Sequence, residues 1–160
     1  EDYFDLGYVK VEVLIPKNTL VELRRVIDKV WDASREETQS GTVFDLGPGH
    51  SPQKPVLRRL KKPDEYDQVF WDFASGLIAD VASDIAGPNV VFHHSKLNFK
   101  WNDRSDEVKW HQDAQFFPHT NYNVFTIRCY LNDTGLEDGP LAVMPGSHQG
   151  ELYNLYHGET

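Results

Sequence analysis

The hydrophobic residues follow a helical period in the first half of the chain and a strand period in the second. After Pro16, and again after Pro63, apolar side chains recur every three or four residues, which predicts two helical regions. The two series are Leu20, Leu23, Ile27, Val30 and Trp31, and then Tyr66, Val69, Phe70, Phe73, Leu77, Val81 and Ile85. Gly87–Pro88 is predicted to end the second region, and Gly76 to divide it.

Alternating apolar and polar residues predict strands on either side of these helices. The first would span residues 8–15, where valine or isoleucine recurs at every second position. From residue 90 onward the same alternation gives one polar and one apolar face. The polar face carries His94, Lys96, Asn98 and Lys100, and the apolar face Ser95, Leu97, Phe99 and Trp101. Further strands are predicted at 108–111, 126–131 and 141–144, and residues 34–55, rich in glycine and proline, predict a long loop.

Helices followed by antiparallel strands predict an α+β fold that is mainly β, with the helices on the apolar side of the sheet. We expect one domain over residues 1–160, with strand and helical support in 1–89 and the main strands in 90–160. The polar strand face carries too many Lys, Asn, His and Arg side chains to be buried dry. It is therefore either exposed to solvent or lines a polar pocket, and alternation alone leaves both open.

Composition excludes several classes of protein. Aromatic residues make up 12% of the chain, which is too many for a disordered protein. The net charge of −9 disfavours nucleic acids and anionic membranes as partners. A single cysteine, Cys129, excludes an intrachain disulfide and a cysteine-based zinc site, and it fits a cytoplasmic location. Residues 1–10 do not resemble a secretory leader, and no apolar run is long enough to span a bilayer.

The segment Trp110-His111-Gln112-Asp113 holds the sharpest chemical pattern. Residues two apart on a strand point the same way, so an imidazole nitrogen and a carboxylate oxygen can meet one metal ion. They would form two thirds of the 2-His-1-carboxylate set that leaves positions open on Fe(II). Taken alone, so short a motif is more often a surface histidine beside an aspartate, so its context decides.

That context is an ordered series of further motifs. Residues 109–118 (KWHQDAQFFP) precede a strand with Thr126 and Arg128, then Asn132-Asp133, and then residues 139–148 (GPLAVMPGSH). Upstream lie residues 94–100 (HSKLNFK) and 7–11 (GYVKV). The combination resembles the phytanoyl-CoA dioxygenase family, which includes the ectoine hydroxylases, over essentially the whole chain.

The resemblance implies a double-stranded β-helix, the cupin-like jelly roll, with N-terminal helices packed on one sheet. It also implies Fe(II), 2-oxoglutarate and O2 as cofactor and cosubstrates. The reaction would hydroxylate a small organic substrate while 2-oxoglutarate is decarboxylated to succinate, with no catalytic residue beyond the metal ligands. The basic strand face formed by Lys96, Lys100 and Arg128 would suit an anionic substrate.

On this resemblance, His111 and Asp113 are the first two iron ligands. A carboxylate at 113 favours hydroxylation, because related halogenases carry a small residue there that leaves room for a halide. Asn98 and Thr126 match positions that contact 2-oxoglutarate, whose carboxylates suit amide and hydroxyl donors. Arg128 shares the face of Thr126 and would approach the cosubstrate or the substrate, although a surface strand residue is the alternative.

His94 and Phe117 match positions that line the substrate pocket, although Phe117 equally suits a plain core residue. His148, in the Pro-Gly-Ser-His turn, is expected to be structural and not the second histidine ligand. The remaining histidines near these motifs are expected in loops or at the rim: His93, His119 and His157.

In the resembling family, the distal histidine and the arginine that binds 2-oxoglutarate lie well beyond the Pro-Gly-Ser-His turn. We therefore expect that the chain lacks them and the last strands of the jelly roll, and that it is a piece of a longer protein. Two alternatives remain open. One is a non-catalytic jelly-roll binding domain that has lost its metal. The other is an interaction module whose basic strand face binds an acidic partner. The sequence leaves the oligomeric state open.

Overall fold

The computed structural model describes residues 2–101, 108–116 and 123–153, in which five α-helices accompany a small antiparallel sheet. The helices are α1 (Asp2–Leu6), α2 (Lys17–Ala33), α3 (Pro63–Tyr66), α4 (Gln68–Phe73) and α5 (Ala79–Ala86), and the strands are β1 (Phe44–Leu46), β2 (Leu57–Lys61) and β3 (Lys96–Asn98). Short 3₁₀ turns occupy Ser34–Glu36, Asp113–Gln115, Leu136–Asp138 and Ser147–Gln149. Helical residues outnumber strand residues in this part of the chain, so helices and an antiparallel sheet are present as predicted, but a mainly β fold is not shown by the described residues.

Helix α2 confirms the first helical series. It follows Pro16, and it buries Leu23, Val26 and Val30 along one stripe. The hydrophobic side chains that it presents pack on Leu57 and Leu60 of β2. The prediction that helices cover the apolar side of the sheet is therefore confirmed for α2.

The sheet has the order β1-β2-β3, and both pairings are antiparallel. Leu60 lies opposite Leu97, and Arg59 lies opposite Asn98. Facing pairs share one side of a sheet, so the apolar pair points toward α2 and the polar pair away from it. Exposure alternates through residues 94–101 in the predicted sense, with Lys96, Asn98 and Lys100 exposed. The two predicted faces of this segment are confirmed.

The second helical region is interrupted at the predicted glycine. Gly76 has non-helical backbone angles (φ −97°, ψ −106°) inside a π-helical turn at Ala74–Ile78, between α4 and α5. Helix α5 ends at Ala86, and Gly87 follows with a φ of +86°, a left-handed value that glycine adopts without strain. Both predictions, the break and the stop, are confirmed.

Several predicted strands are absent from the described residues. Residues 8–15 form no strand, and Val13 there is 98% exposed with a φ of +57°. Residues 108–111, 126–131 and 141–144 have no strand ladder either, although exposure alternates at 126–130 as expected. Alternation supplies two faces, but a ladder also needs a backbone partner at the right distance. A jelly roll is accordingly not shown by this part of the chain.

The glycine- and proline-rich stretch contains an unpredicted strand. Phe44–Leu46 pairs with Leu57–Lys61, and a bulge falls between Asp45 and Leu46. Phe44 contributes to the core, which otherwise lies between α2, β2 and Phe70 of α4. The predicted long loop is therefore two shorter connections around β1.

The N-terminal helix α1 is fastened to residues far along the chain. The Gly146 N–H donates to Leu6 O at 2.8 Å, and His148 Nε2 donates to Phe4 O at 2.9 Å. A side chain at Gly7 would collide with the His148 ring, so the close approach of these two segments requires glycine there. No helix within 2–101, 108–116 and 123–153 is both long and apolar enough to cross a bilayer.

Candidate functional site

His111 and Asp113 lie together at the start of a 3₁₀ turn. Asp113 opens the turn Asp113–Gln115, and His111 precedes it by two residues. His111 Nε2 is 3.2 Å from Asp113 Oδ1, and the two side chains are 32% and 44% exposed. Two ligand atoms at right angles around an ion, each bonded at about 2.1 Å, would be about 3 Å apart. The separation therefore suits neighbouring positions on one cation.

The proton positions on His111 strengthen this assignment. His111 Nδ1 lies 2.7 Å from Lys109 O, and a carbonyl oxygen can only accept, so Nδ1 carries the hydrogen. A neutral ring then turns the Nε2 lone pair toward the Asp113 carboxylate, which also only accepts. A cation bound by both atoms would accept these two lone pairs. Metal-binding histidines characteristically donate their other ring N–H to a backbone carbonyl, as His111 does here.

Thr126 holds the other oxygen of the same carboxylate. Thr126 Oγ1 donates to Asp113 Oδ2 at 2.9 Å, which leaves Oδ1 facing His111. The single hydroxyl proton of Thr126 is used in this bond, so the hydroxyl can meet a further group only as an acceptor. The prediction that Thr126 contacts 2-oxoglutarate stays a prediction, and the structure adds an orienting contact to Asp113.

Asn98 lies on β3 and contacts a residue that sequence reasoning missed. Arg59 Nε on β2 donates to Asn98 Oδ1 at 3.1 Å. This bond engages the amide oxygen and leaves the amide NH2 group as the donor for a ligand. Arg59 and Lys61 face Asn98 and Lys96 across the strands, so β2 extends the basic face that β3 was expected to carry. The alternation of β2 was not recognisable because Leu57 and Leu60 are three apart.

His94 lies within electrostatic range of Asp113, one of the two predicted metal ligands. Partial burial lowers the pKa of His94 below its usual value, and the neighbouring His93 and Lys96 lower it further. Asp113 and Asp64 act in the opposite direction. The ring nitrogens Nδ1 of His93 and His94 are 2.6 Å apart. The structure therefore brings His94 close enough to Asp113 to respond to its charge, and its predicted role toward a substrate stays a prediction.

Arg128 and Phe117 are placed differently. The Arg128 guanidinium lies 5.1 Å from the centre of the Tyr130 ring, an arrangement typical of a cation–π contact. Its predicted approach to cosubstrate or substrate stays a prediction. Phe117 falls outside the described residues, as do His119 and His157.

No third candidate for a metal ligand lies beside His111 and Asp113 among the residues that the structure describes. In them, no group of three His, Cys, Asp or Glu side chains is arranged to hold an ion. His148 is committed to Phe4 O through Nε2, in agreement with the structural role expected for it. A cleft of about 550 Å³ between Thr19 and Glu22 of α2 and Phe73 and Leu77 involves none of the predicted site residues.

The site brings together two of the three donors of a 2-His-1-carboxylate set, an imidazole and a carboxylate, each oriented by a second contact. Comparison with known proteins agrees with this class. The model of the phytanoyl-CoA dioxygenase (PhyH) family matches residues 3–160, and the chain belongs to this family, whose fold is cupin-like. No solved structure gives a significant match to the chain.

Three curated relatives show the breadth of the family. The chain is 29% identical to a protein of Stutzerimonas stutzeri named probable alpha-ketoglutarate-dependent hypophosphite dioxygenase, over 99% of the chain and 56% of the relative. It is 30% identical to an ectoine dioxygenase of Sphingopyxis alaskensis, over 96% of the chain and 49% of the relative. It is 21% identical to the peroxisomal phytanoyl-CoA dioxygenase of Rattus norvegicus, over 94% and 46%. The chain thus spans about half the length of the curated relatives that it matches.

Proposed function

We propose that this protein is an Fe(II)- and 2-oxoglutarate-dependent dioxygenase that hydroxylates a small organic substrate and converts 2-oxoglutarate to succinate. The observation that carries the proposal is that His111 Nε2 and Asp113 Oδ1 face each other at a distance of 3.2 Å. The ring proton is held on the far nitrogen by Lys109 O, so Nε2 is available to a metal. Membership of the PhyH family supports the same reaction and a complete jelly roll around the site.

The residues of the chain would divide the work as follows. His111 and Asp113 hold the metal, while Lys109 O and Thr126 Oγ1 keep both side chains turned toward it. Bound iron, 2-oxoglutarate and O2 would supply the oxidising chemistry, which the protein itself lacks. Asn98, held by Arg59, offers an amide NH2 to a carboxylate of the cosubstrate. The carboxylate at position 113 favours hydroxylation over halogenation.

An anionic small molecule is the substrate class that the sheet supports best. Arg59, Lys61, Lys96 and Lys100 put four basic side chains on or beside the polar sheet face of a protein whose net charge is −9. A local positive field of this kind draws anions toward a site. The names of two relatives specify hypophosphite, a small oxyanion, and phytanoyl-CoA, an acyl thioester with phosphate groups. Part of the charge would serve 2-oxoglutarate itself.

The proposal is tested by anaerobic titration with Fe(II) and 2-oxoglutarate. A visible charge-transfer band requires both the iron site and the chelating acid, so we expect it in the full-length wild-type protein. We expect its loss in His111→Ala and Asp113→Ala. His148→Gln, which keeps a donor for Phe4 O, and Asp133→Ala on the surface are the matched controls, and both should retain the band.

The second candidate is a binding domain of the same fold that has lost its metal. It is favoured by one observation: the described residues supply two metal ligands and not three. A full-length wild-type protein that shows no band, and that binds 2-oxoglutarate or another anion equally well with and without iron, would establish this candidate and reject the dioxygenase. A band that survives in His111→Ala would show that the iron is bound elsewhere.

A further inference from the structure

The side chain between the two metal ligands holds a different part of the chain. Gln112 Nε2 donates to Glu151 O at 3.0 Å, and Gln112 Oε1 accepts from the Tyr153 N–H at 2.8 Å. The two backbone groups come from residues two apart, which is the spacing that a neighbouring strand would satisfy. The side-chain amide of Gln112 therefore makes the two hydrogen bonds that the backbone of a neighbouring strand would otherwise make. Its orientation is fixed, because only the oxygen can meet the N–H and only the nitrogen can meet the carbonyl.

The segment that Gln112 holds is itself anchored. Residues 151–153 directly follow the turn at residues 145–150, which is bound to α1 through Leu6 O and Phe4 O. On its own side, Gln112 O accepts from the Gln115 N–H at 3.1 Å and so closes the 3₁₀ turn that begins with Asp113. Gln112 thus connects the backbone that carries both ligands to a segment that is bound to α1 through Leu6 O and Phe4 O.

We infer that Gln112 is a positioning residue for the two metal ligands, His111 and Asp113, an inference that rests on the proposed function. His111 and Asp113 are 32% and 44% exposed, so packing restrains them weakly. Their separation then depends on the backbone of residues 111–113. The Gln112 amide fixes that backbone without touching the metal, much as contacts behind the ligands tune other metal sites. If the hydrogen bonds from Gln112 to residues 151–153 strengthen metal binding, then metal binding must strengthen those hydrogen bonds to the same extent, because coupling between two interactions is reciprocal.

The test uses two substitutions of Gln112 and one matched control. Gln112→Met keeps the length of the side chain and removes both hydrogen bonds. Gln112→Glu keeps an acceptor for the Tyr153 N–H but sets a charged oxygen against Glu151 O, so it breaks one bond only. Gln68→Met is the control, because Gln68 is an exposed glutamine on α4 whose side chain bonds Asp72. The readouts are amide hydrogen exchange at Tyr153 in metal-free protein, anaerobic Co(II) titration, and the visible Co(II) spectrum, which reports ligand geometry.

We expect Gln112→Met to speed exchange at Tyr153, to weaken Co(II) binding by roughly 10-fold, and to alter the Co(II) spectrum. Gln112→Glu should show smaller changes in the same direction, and Gln68→Met none. In the wild type, Co(II) should slow exchange at Tyr153, and in Gln112→Met this effect should be lost. The thermal transition of each variant, followed by circular dichroism, establishes that it is folded.

Three results would overturn the inference, and they separate it from the proposed function. Unchanged Tyr153 exchange in metal-free Gln112→Met would show that the two hydrogen bonds do not hold the segment. Faster exchange with an unchanged Co(II) affinity and spectrum would reduce Gln112 to a structural contact. A wild type that binds no more Co(II) than His111→Ala would reject the metal site itself, and the positioning role with it, whatever the exchange data show.

Discussion

Thr126 and Asp113 are joined by a hydrogen bond of 2.9 Å from the threonine hydroxyl to Oδ2 of the carboxylate. The second oxygen, Oδ1, faces His111 Nε2 at 3.2 Å. Each oxygen of Asp113 therefore has its own partner, and rotation about the last bond of the side chain would break both contacts. The hydroxyl selects which oxygen is presented to a metal.

Replacing Thr126 should weaken metal binding. Thr126→Val keeps the shape of the side chain but removes the hydroxyl, so we expect roughly 10-fold weaker Co(II) or Fe(II) binding in anaerobic titrations. Thr126→Ser keeps the hydroxyl and should bind within a few-fold of the wild type. Equal affinity of the valine variant and the wild type would show that Asp113 needs no support from this residue.

Removing the Arg59 guanidinium should weaken 2-oxoglutarate binding without affecting iron. Arg59→Met leaves the Asn98 amide free to turn, at a loss of about 1 kcal/mol, or roughly 5-fold in affinity. The concentration of 2-oxoglutarate at half-maximal charge-transfer absorbance measures this. Arg58→Met is the control, because Arg58 is the neighbouring arginine on the same strand. The same shift in both variants would mean that general charge, and not the Asn98 contact, is responsible.

Truncating a core leucine should destabilise the whole protein. Leu60 is fully buried between α2 and the sheet, so Leu60→Ala should lower the free energy of unfolding by about 2–5 kcal/mol in urea titrations. Val21→Ala on the exposed face of α2, where the valine is 60% exposed, should cost less than about 0.5 kcal/mol. Similar losses in the two variants would contradict the placement of the core.

The single cysteine should react slowly while the protein is folded. Burial raises the pKa of Cys129 above its ordinary value of 9.0, so little reactive thiolate forms near neutral pH. Labelling with a thiol reagent at pH 8 should be much faster in urea than in buffer. The pKa of the thiol is lower in the unfolded state than in the folded state, so deprotonation favours unfolding. The contribution of Cys129 to the free energy of unfolding is therefore fully present below pH 9.0 and declines above it. Equal labelling rates in urea and in buffer would show that the thiol is accessible.

Local patterns predicted what depends on a short stretch of chain. The stripe of α2, the break at Gly76 and the two faces around Asn98 all follow from spacing within one segment. Strand pairing does not follow from the spacing within one segment, because a ladder also needs a second segment as its partner. Residues 8–15 alternate without a partner and form no strand, whereas Phe44–Leu46 is short and polar in the middle yet pairs with β2.

The candidate site divides in the same way. His111, Asp113 and the Lys109 carbonyl lie within five residues, so the spacing suggested His111 and Asp113 as metal ligands, and the series of motifs around them decided in favour of that prediction. The supports are distant: Arg59 and Asn98 are 39 residues apart, and Gln112 and Tyr153 are 41 apart. No local sequence pattern identifies Arg59 or Gln112 as a residue of the site. Each acquires its role only when segments distant in sequence come together in the fold.

The attachment of α1 to the turn around Gly146 has a consequence for the order of events during synthesis. Phe4 and His148 are 144 positions apart, and a helix of five residues is not stable alone. Residues 2–6 must therefore wait, without a stable helix, until the residues around His148 have emerged from the ribosome. Helix α2 and the strands can assemble in the meantime, so α1 should take its final place later than these elements, although it precedes them in the sequence.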